Sequence, residues 1–326
     1  MTDSSGPKNY ALAPGAYYML SILFLVNVVS LIDRNILGIL LEDIKQDLQV
    51  SDTQIGLLVG PAFAITNALA GIPLARLADR WSRRSIIAWG LAAWSAFTAL
   101  QGVTRSFGTL LTTRIGVGIG EASTGPSAHS LISDYFPMNR RAAAISIYTF
   151  GGFVGVWLAF LVGGWLSDLY SWRLALVAVG LPGIVLSLLV RFSIREPVRG
   201  AIEGRVDSGE TVPMLRVLRV LGAKSSFRHL FMALPLFVCS AYVLNVWGPA
   251  FLMRVHGLTK TEIGLWFGLI VGLSGGVGSL LGGFLADRLA RQDPRWYARV
   301  PALGSLTATP FVVGFLLSPD PWVALG

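Results

Sequence analysis

Stretches of about twenty predominantly apolar residues recur along this chain, at about 16–40, 55–75, 86–104, 107–132, 142–166, 172–192, 229–253, 263–286 and 299–317. A helix of roughly that length crosses the hydrocarbon core of a bilayer. Lipid offers nothing to bond to, so each segment must satisfy its own backbone, which leaves helices or a closed barrel. A barrel would alternate apolar and polar residues in short segments, and the sequence has no such pattern. The expectation is an all-α membrane protein with about nine spanning helices. Its composition agrees: 13% of residues are charged, where soluble domains carry about 25%. Residues 1–14 are polar and lack a basic stretch before the first apolar run, so that run reads as a span and not a cleaved signal.

The loops set orientation. With the amino terminus on the cytoplasmic side, nineteen of the 26 lysines and arginines fall in cytoplasmic loops and five outside, while Arg34 and Arg114 lie within spans. That bias predicts a multi-pass protein with a cytoplasmic amino terminus, in the inner membrane if the source is bacterial. It also accounts for the net charge of +8 without nucleic acid. Cys239 is the one cysteine, which excludes an internal disulfide, and His129, His229 and His256 are scattered. No metal or other cofactor is expected.

One long connection divides the chain. The expected organisation is a six-helix bundle over 1–194, a cytoplasmic linker over 195–228, and a second bundle over 229–326. Within the linker, Met214, Leu215, Leu218 and Leu221 share a helical face while Arg216 and Arg219 lie off it. That pattern suits a short basic helix on the inner membrane surface. Across the linker a motif repeats: Leu77-Ala78-Asp79-Arg80 ends the second span and Leu285-Ala286-Asp287-Arg288 ends the eighth. Two parallel halves related by an axis along the membrane normal would produce this recurrence.

The first copy continues as Trp81-Ser82-Arg83-Arg84. The whole resembles the loop signature Gly-x-Leu-Ala-Asp-Arg-x-Gly-Arg-Arg of the major facilitator superfamily, with Ala75 and Ser82 in place of its glycines. The resemblance implies a two-bundle fold and a cytoplasmic gate in which Asp79, Arg80, Arg83, Arg84, Asp287 and Arg288 latch the halves. Asp33-Arg34-Asn35, Gly71-Ile72-Pro73, Gly118-Ile119-Gly120-Glu121 and Ser133-Asp134-Tyr135-Phe136-Pro137 are together similar to the spinster branch. That branch implies an amphipathic lipid substrate, a lysophospholipid or sphingoid. Organic-anion symporters of the same superfamily also carry an Asp-Arg pair, so an organic anion is the alternative. The superfamily implies twelve helices, so a chain of about three-quarters length is expected, with Trp322-Val323-Ala324-Leu325-Gly326 starting a tenth helix.

Charges within the spans matter most, because each costs on the order of 2.5–3.5 kcal/mol at a helix centre. Asp33 and Arg114 are expected about 12 Å below the outer surface on the first and fourth spans, level enough to meet. Glu121 should lie about 10 Å deeper, on the same helix face as Arg114. Burial disfavours a charged carboxylate and a nearby arginine favours it. Opening and closing a cavity can therefore make Asp33 or Glu121 take up and release a proton, while Arg34 or Arg114 holds the ionised state or an anionic headgroup. A permanent structural ion pair is the competing reading. Tyr242 and Asn245, on the seventh span, are candidate cavity residues from the second half.

The glycine runs at Gly116–Gly120 and Gly272–Gly278 lie inside spans and do not follow strands, so they read as helix-contact surfaces, not nucleotide loops. With no ATP-binding loop, transport would draw on a gradient. An embedded enzyme would need a nucleophile, metal cluster or acid–base dyad, and nothing better than Glu121 with Arg114 exists, so no enzymatic activity is expected. A channel is disfavoured by the repeated gate motif. The expected partners are the substrate, protons and the bilayer, with the protein a monomer.

Overall fold

A computed structural model of the chain describes residues 12–200 and 214–325, and helices account for almost all of them, with no strand among the described residues. The first group comprises α1 (Ala16–Leu48), α2 (Asp52–Val59), α3 (Pro61–Arg80), α4 (Arg83–Gln101), α5 (Phe107–Glu121), α6 (Thr124–Tyr135), α7 (Met138–Leu169) and α8 (Trp172–Ser193). After it come α9 (Met214–Ala223), α10 (Ser225–His256), α11 (Lys260–Ala290), α12 (Trp296–Leu317) and the single turn α13 (Pro321–Leu325).

Local chemistry sets the ends. Ser51 and Thr259 form capping boxes with Gln54 and Glu262, and Ser82, Ser106 and Ser171 cap α4, α5 and α8. Each cap satisfies backbone N–H groups that helix geometry leaves open. Two expected spans are interrupted. The second breaks at Gly60, because Pro61 has no N–H to continue the ladder and starts a fresh helix. The fourth breaks at Ala122-Ser123, where Pro126 in the next turn removes another donor.

Among the described residues, seven helical segments are long and apolar enough to cross a membrane, Asp52–Arg80 counted as one. The other two expected spans correspond to α4, whose ends carry Arg83, Arg84 and Gln101, and to the short pair α5 and α6. Helix α1 also runs eight residues past the expected end at 40. Glu42, Asp43, Lys45 and Asp47 look like a loop in sequence but form its last turns.

The core centres on α1, where Leu23, Val26, Ile36 and Leu40 are fully buried. Helix α7 packs along α1 on one side and along α11 on the other. Glycines make both approaches possible: a Cβ on Gly155 would sit 2.5 Å from the Val28 carbonyl oxygen, and one on Gly264 would sit 2.4 Å from that of Phe160. Small residues of this kind let spanning helices pack closely. Toward the other end, Phe231 and Leu236 of α10 and Phe284 of α11 are well exposed, and α12 buries no residue. The linker holds α9, with Arg216 and Arg219 exposed. Lys8, residues 201–213 and the side chains of Met214, Leu215 and Leu218 lie outside the described residues.

Candidate functional site

Helices α1, α3 and α5 meet around one aromatic ring. Phe63 of α3 is buried, with the Arg34 guanidinium 5.0 Å and the Arg114 guanidinium 4.8 Å from its ring centre. Cations are attracted to the ring's negative face, more strongly where water is excluded. Gly118 of α5 allows the approach, since a Cβ there would sit 3.0 Å from the Phe63 carbonyl oxygen. Arg34 forms a charged hydrogen bond with Glu121 of α5, and the Ser30 hydroxyl donates to the same carboxylate oxygen at 2.7 Å. Tyr148 of α7 and Tyr242 of α10 lie alongside.

Asp33 and Arg114 meet, but not as an ion pair. Arg114 donates to the backbone carbonyls of Asp33 at 3.1 Å and Arg34 at 3.2 Å. The cause is angular: neighbours on a helix differ by about 100°, so Arg34 reaches α5 while the Asp33 carboxylate turns to Trp94 and Thr98 of α4. The Arg34 side chain is 32% exposed, whereas Asp33 is 1% exposed and makes no ion pair. Two arginines and two carboxylates thus share one buried region. Only Arg34 with Glu121 pairs directly.

Tyr242 places its hydroxyl 3.5 Å from the Val59 carbonyl oxygen, at the α2–α3 break. The Asn245 side chain donates to its own helix at Ala241, and its Oδ1 is buried without a partner. His129 packs edge-on against Tyr148.

The expected gate residues divide into two kinds. Arg83 is 2% exposed and bonds Glu196 at 2.9 Å, the Ser130 hydroxyl at 2.9 Å, and Asp134. Arg84 donates to the Ile194 carbonyl at 3.0 Å. Glu196 also accepts from the Ser82 hydroxyl and from the backbone N–H groups of Arg83 and Arg84, which caps α4. Burial pushes the Glu196 carboxyl up, but these donors outweigh it and hold the group below its ordinary range. Asp79, Arg80 and Arg288 are exposed, while Asp287 accepts from the Tyr297 hydroxyl at 3.1 Å. Among the described residues, no ion pair joins the two copies of the motif. Arg83 and Arg84 tie the first group of helices to itself.

The ion pairs that do join the two groups gather at the opposite end. Lys260 of α11 contacts Asp43 of α1 at 2.8 and 2.9 Å and Asp168 of α7 at 3.4 Å. Asp168 accepts from the Thr261 backbone at 2.8 Å and hydroxyl at 2.7 Å. Arg254 of α10 bridges Glu42 of α1 and Asp52 of α2. Sequence reasoning missed this cluster, although its charges separate by segment: the acids precede the linker and their bases follow it. Nothing in the sequence marked Phe63.

Comparison with known proteins bears on this architecture. The Major Facilitator Superfamily description matches residues 23–326. An MFS-type efflux pump of Mycolicibacterium smegmatis is 35% identical over 298 residues, 90% of this chain and 66% of that protein. Protein spinster homolog 1 of Homo sapiens is 33% identical over 323 residues, 92% of this chain and 60% of that protein. Protein spinster of Drosophila melanogaster is 30% identical over 312 residues, 92% of this chain and 51% of that protein. The chain therefore spans half to two-thirds of the length of these curated relatives. A crystal structure of a bacterial homolog to the human lysosomal transporter Spinster, inward-facing and unoccupied, is 34% identical with a TM-score of 0.80. That similarity covers 98% of this chain and 71% of the solved one. The chain belongs to the Major Facilitator Superfamily, in its spinster branch.

Proposed function

We propose that the protein is a proton-coupled secondary transporter that moves a lysophospholipid- or sphingoid-like amphipath by alternating access. One observation carries the reading: Arg34, paired with Glu121 over Phe63, is the part of the buried charge cluster that remains accessible. A charged pair inside spanning helices is costly unless it has a task. An anionic headgroup can replace Glu121 at Arg34, and the displaced carboxylate then takes up a proton, which links substrate to proton. Asp33 is the second carboxylate available for protonation. Arg114 braces the site by holding the α1 backbone, and Tyr242 stands beside it on α10, with Asn245 about one turn further along.

The distribution of ion pairs supports an inward-facing state. In this reading the Lys260 and Arg254 clusters close the outer end, the amino terminus is cytoplasmic, and Asp79, Arg80, Asp287 and Arg288 engage when the inner end closes. The solved relative's inward-facing conformation supports the same assignment. Residues 1–194 and 229–326 would then be the moving bodies, joined by the linker over 195–228.

The substrate class is tested with the full-length protein in liposomes, by counterflow of labelled lysophosphatidylcholine, lysophosphatidylethanolamine, a sphingoid phosphate and small organic anions. Counterflow of a single-chain lipid that falls at least tenfold in Arg34→Ala supports the proposal. Counterflow confined to small carboxylates would instead favour an organic-anion symporter.

A further inference from the structure

One face of α4 carries polar groups that the charge cluster does not use. Trp94, Thr98 and Gln101 recur at intervals of four and three residues, so they line one helical face, with Ser95 at its edge. Each of the four is at most 1% exposed. The Trp94 indole N–H and the Thr98 hydroxyl face the Asp33 carboxylate, while the Ser95 hydroxyl and both ends of the Gln101 amide lack hydrogen-bond partners. Buried polar side chains are nearly always paired with protein or ordered water, so the unpartnered groups that continue this polar face beyond Thr98 mark a hydrated track. At one end of it stands the Asp33 carboxylate, which Trp94 and Thr98 face. At the other end the Thr104 hydroxyl donates to the Gln101 carbonyl at 2.7 Å, and Arg173 donates to the Thr104 carbonyl at 3.0 Å. Arg173 is about one-third exposed and pairs with Asp47, which is 44% exposed. The track thus begins inside the bundle and ends at the face bearing the Lys260 and Arg254 clusters.

We propose that this face of α4 holds a single file of water joining Asp33 to that end of the protein, and that Asp33 exchanges protons through it. The distance suits a short file: Thr98 and Gln101 are three residues apart, about 4.5 Å along the axis. Such a route is separate from the accessible side of Arg34. Protons can reach Asp33 from one face while substrate enters from the other, with the Lys260 and Arg254 contacts intact. The groups facing Asp33 are Glu121 and Arg114 of α5 and, from α4, Trp94 and Thr98; Tyr242 lies beyond Arg114. The inference rests on the proton-coupled reading above.

The test is infrared spectroscopy of the full-length protein in lipid, following the Asp33 carboxyl band, assigned by difference against Asp33→Asn. After transfer to D2O, the band's isotope shift should be at least tenfold slower in Thr98→Val and Gln101→Leu than in the unaltered protein. Both substitutions remove hydrogen-bonding groups at similar volume, and thermal unfolding of each variant checks that it folds. A shift equally fast in the double variant would overturn the water file and leave proton coupling standing. Absence of any titrating carboxyl band that Asp33→Asn removes would overturn both.

Discussion

Lys260 of α11 sets its ammonium 2.9 and 2.8 Å from the two carboxylate oxygens of Asp43 on α1. Ser167 and Asp168 complete the pocket. The contact joins segments on opposite sides of the linker, at the end away from the repeated Asp-Arg motif. Both side chains are largely buried, at 17% and 25% exposure.

Removing Lys260 leaves Asp43 and Asp168 facing each other without a cation. The expected cost of Lys260→Ala to the closure of that end is about 1–3 kcal/mol, less than for a fully buried pair. That amounts to roughly five- to 150-fold in the balance between its closed and open forms. Spin-label distances across that end, between α1 and α11, should broaden toward longer values. An unchanged distribution would remove the pair's role as a closure.

Glu196 accepts from Ser82, Arg83 and the first N–H groups of α4, and its folded form is held below the ordinary carboxylate range despite burial. A lowered folded value means the stabilisation is complete above the unfolded value, near 4.5, and is lost as pH falls through the folded one. Glu196→Gln should therefore cost about 1–2 kcal/mol at neutral pH. Thermal melts should show the gap between variant and unaltered protein closing below about pH 4.

Gly264 meets the Phe160 backbone where α7 and α11 cross. Gly264→Leu should force the helices apart and lower thermal stability by about 1–3 kcal/mol, the usual cost of overpacking. Gly282, with open space around its Cβ position, serves as the comparison site on the same helix, and Gly282→Leu should leave the melting temperature nearly unchanged.

Arg34→Lys keeps the charge opposite Glu121 but loses the planar group that lies over Phe63. Lysine lacks the planar guanidinium that lies over the ring. Transport should fall by about tenfold, mainly through a higher KM, at a cation–π cost of about 1–2 kcal/mol. A series of uptake rates against substrate concentration separates the two parameters.

Much of this architecture was legible because lipid enforces simple rules. Apolar length located the helices, and the Leu-Ala-Asp-Arg repeat pointed to related halves. The breaks at Gly60 and Ala122-Ser123 escaped because hydropathy averages across a missing N–H. Asp33 and Arg114 were rightly placed side by side, yet the depth argument could not tell carboxylate from carbonyl. That choice depends on rotation about α1, which sends Arg34 to Glu121 and Asp33 to Thr98. The Arg254 and Lys260 clusters were hidden for another reason. Their partners lie over ninety residues away in sequence, and the acids at the end of α1 resemble an ordinary solvated loop.

In the proposed mechanism a carboxylate in the Arg34–Glu121–Asp33 region couples substrate movement to protons. Uptake of labelled substrate by full-length protein in liposomes, with an imposed pH gradient, tests it most directly in Glu121→Gln and Asp33→Asn. The gradient should accelerate uptake in the unaltered protein, and at least one variant should lose this acceleration while retaining substrate counterflow. Undiminished gradient-driven uptake in both variants would contradict it.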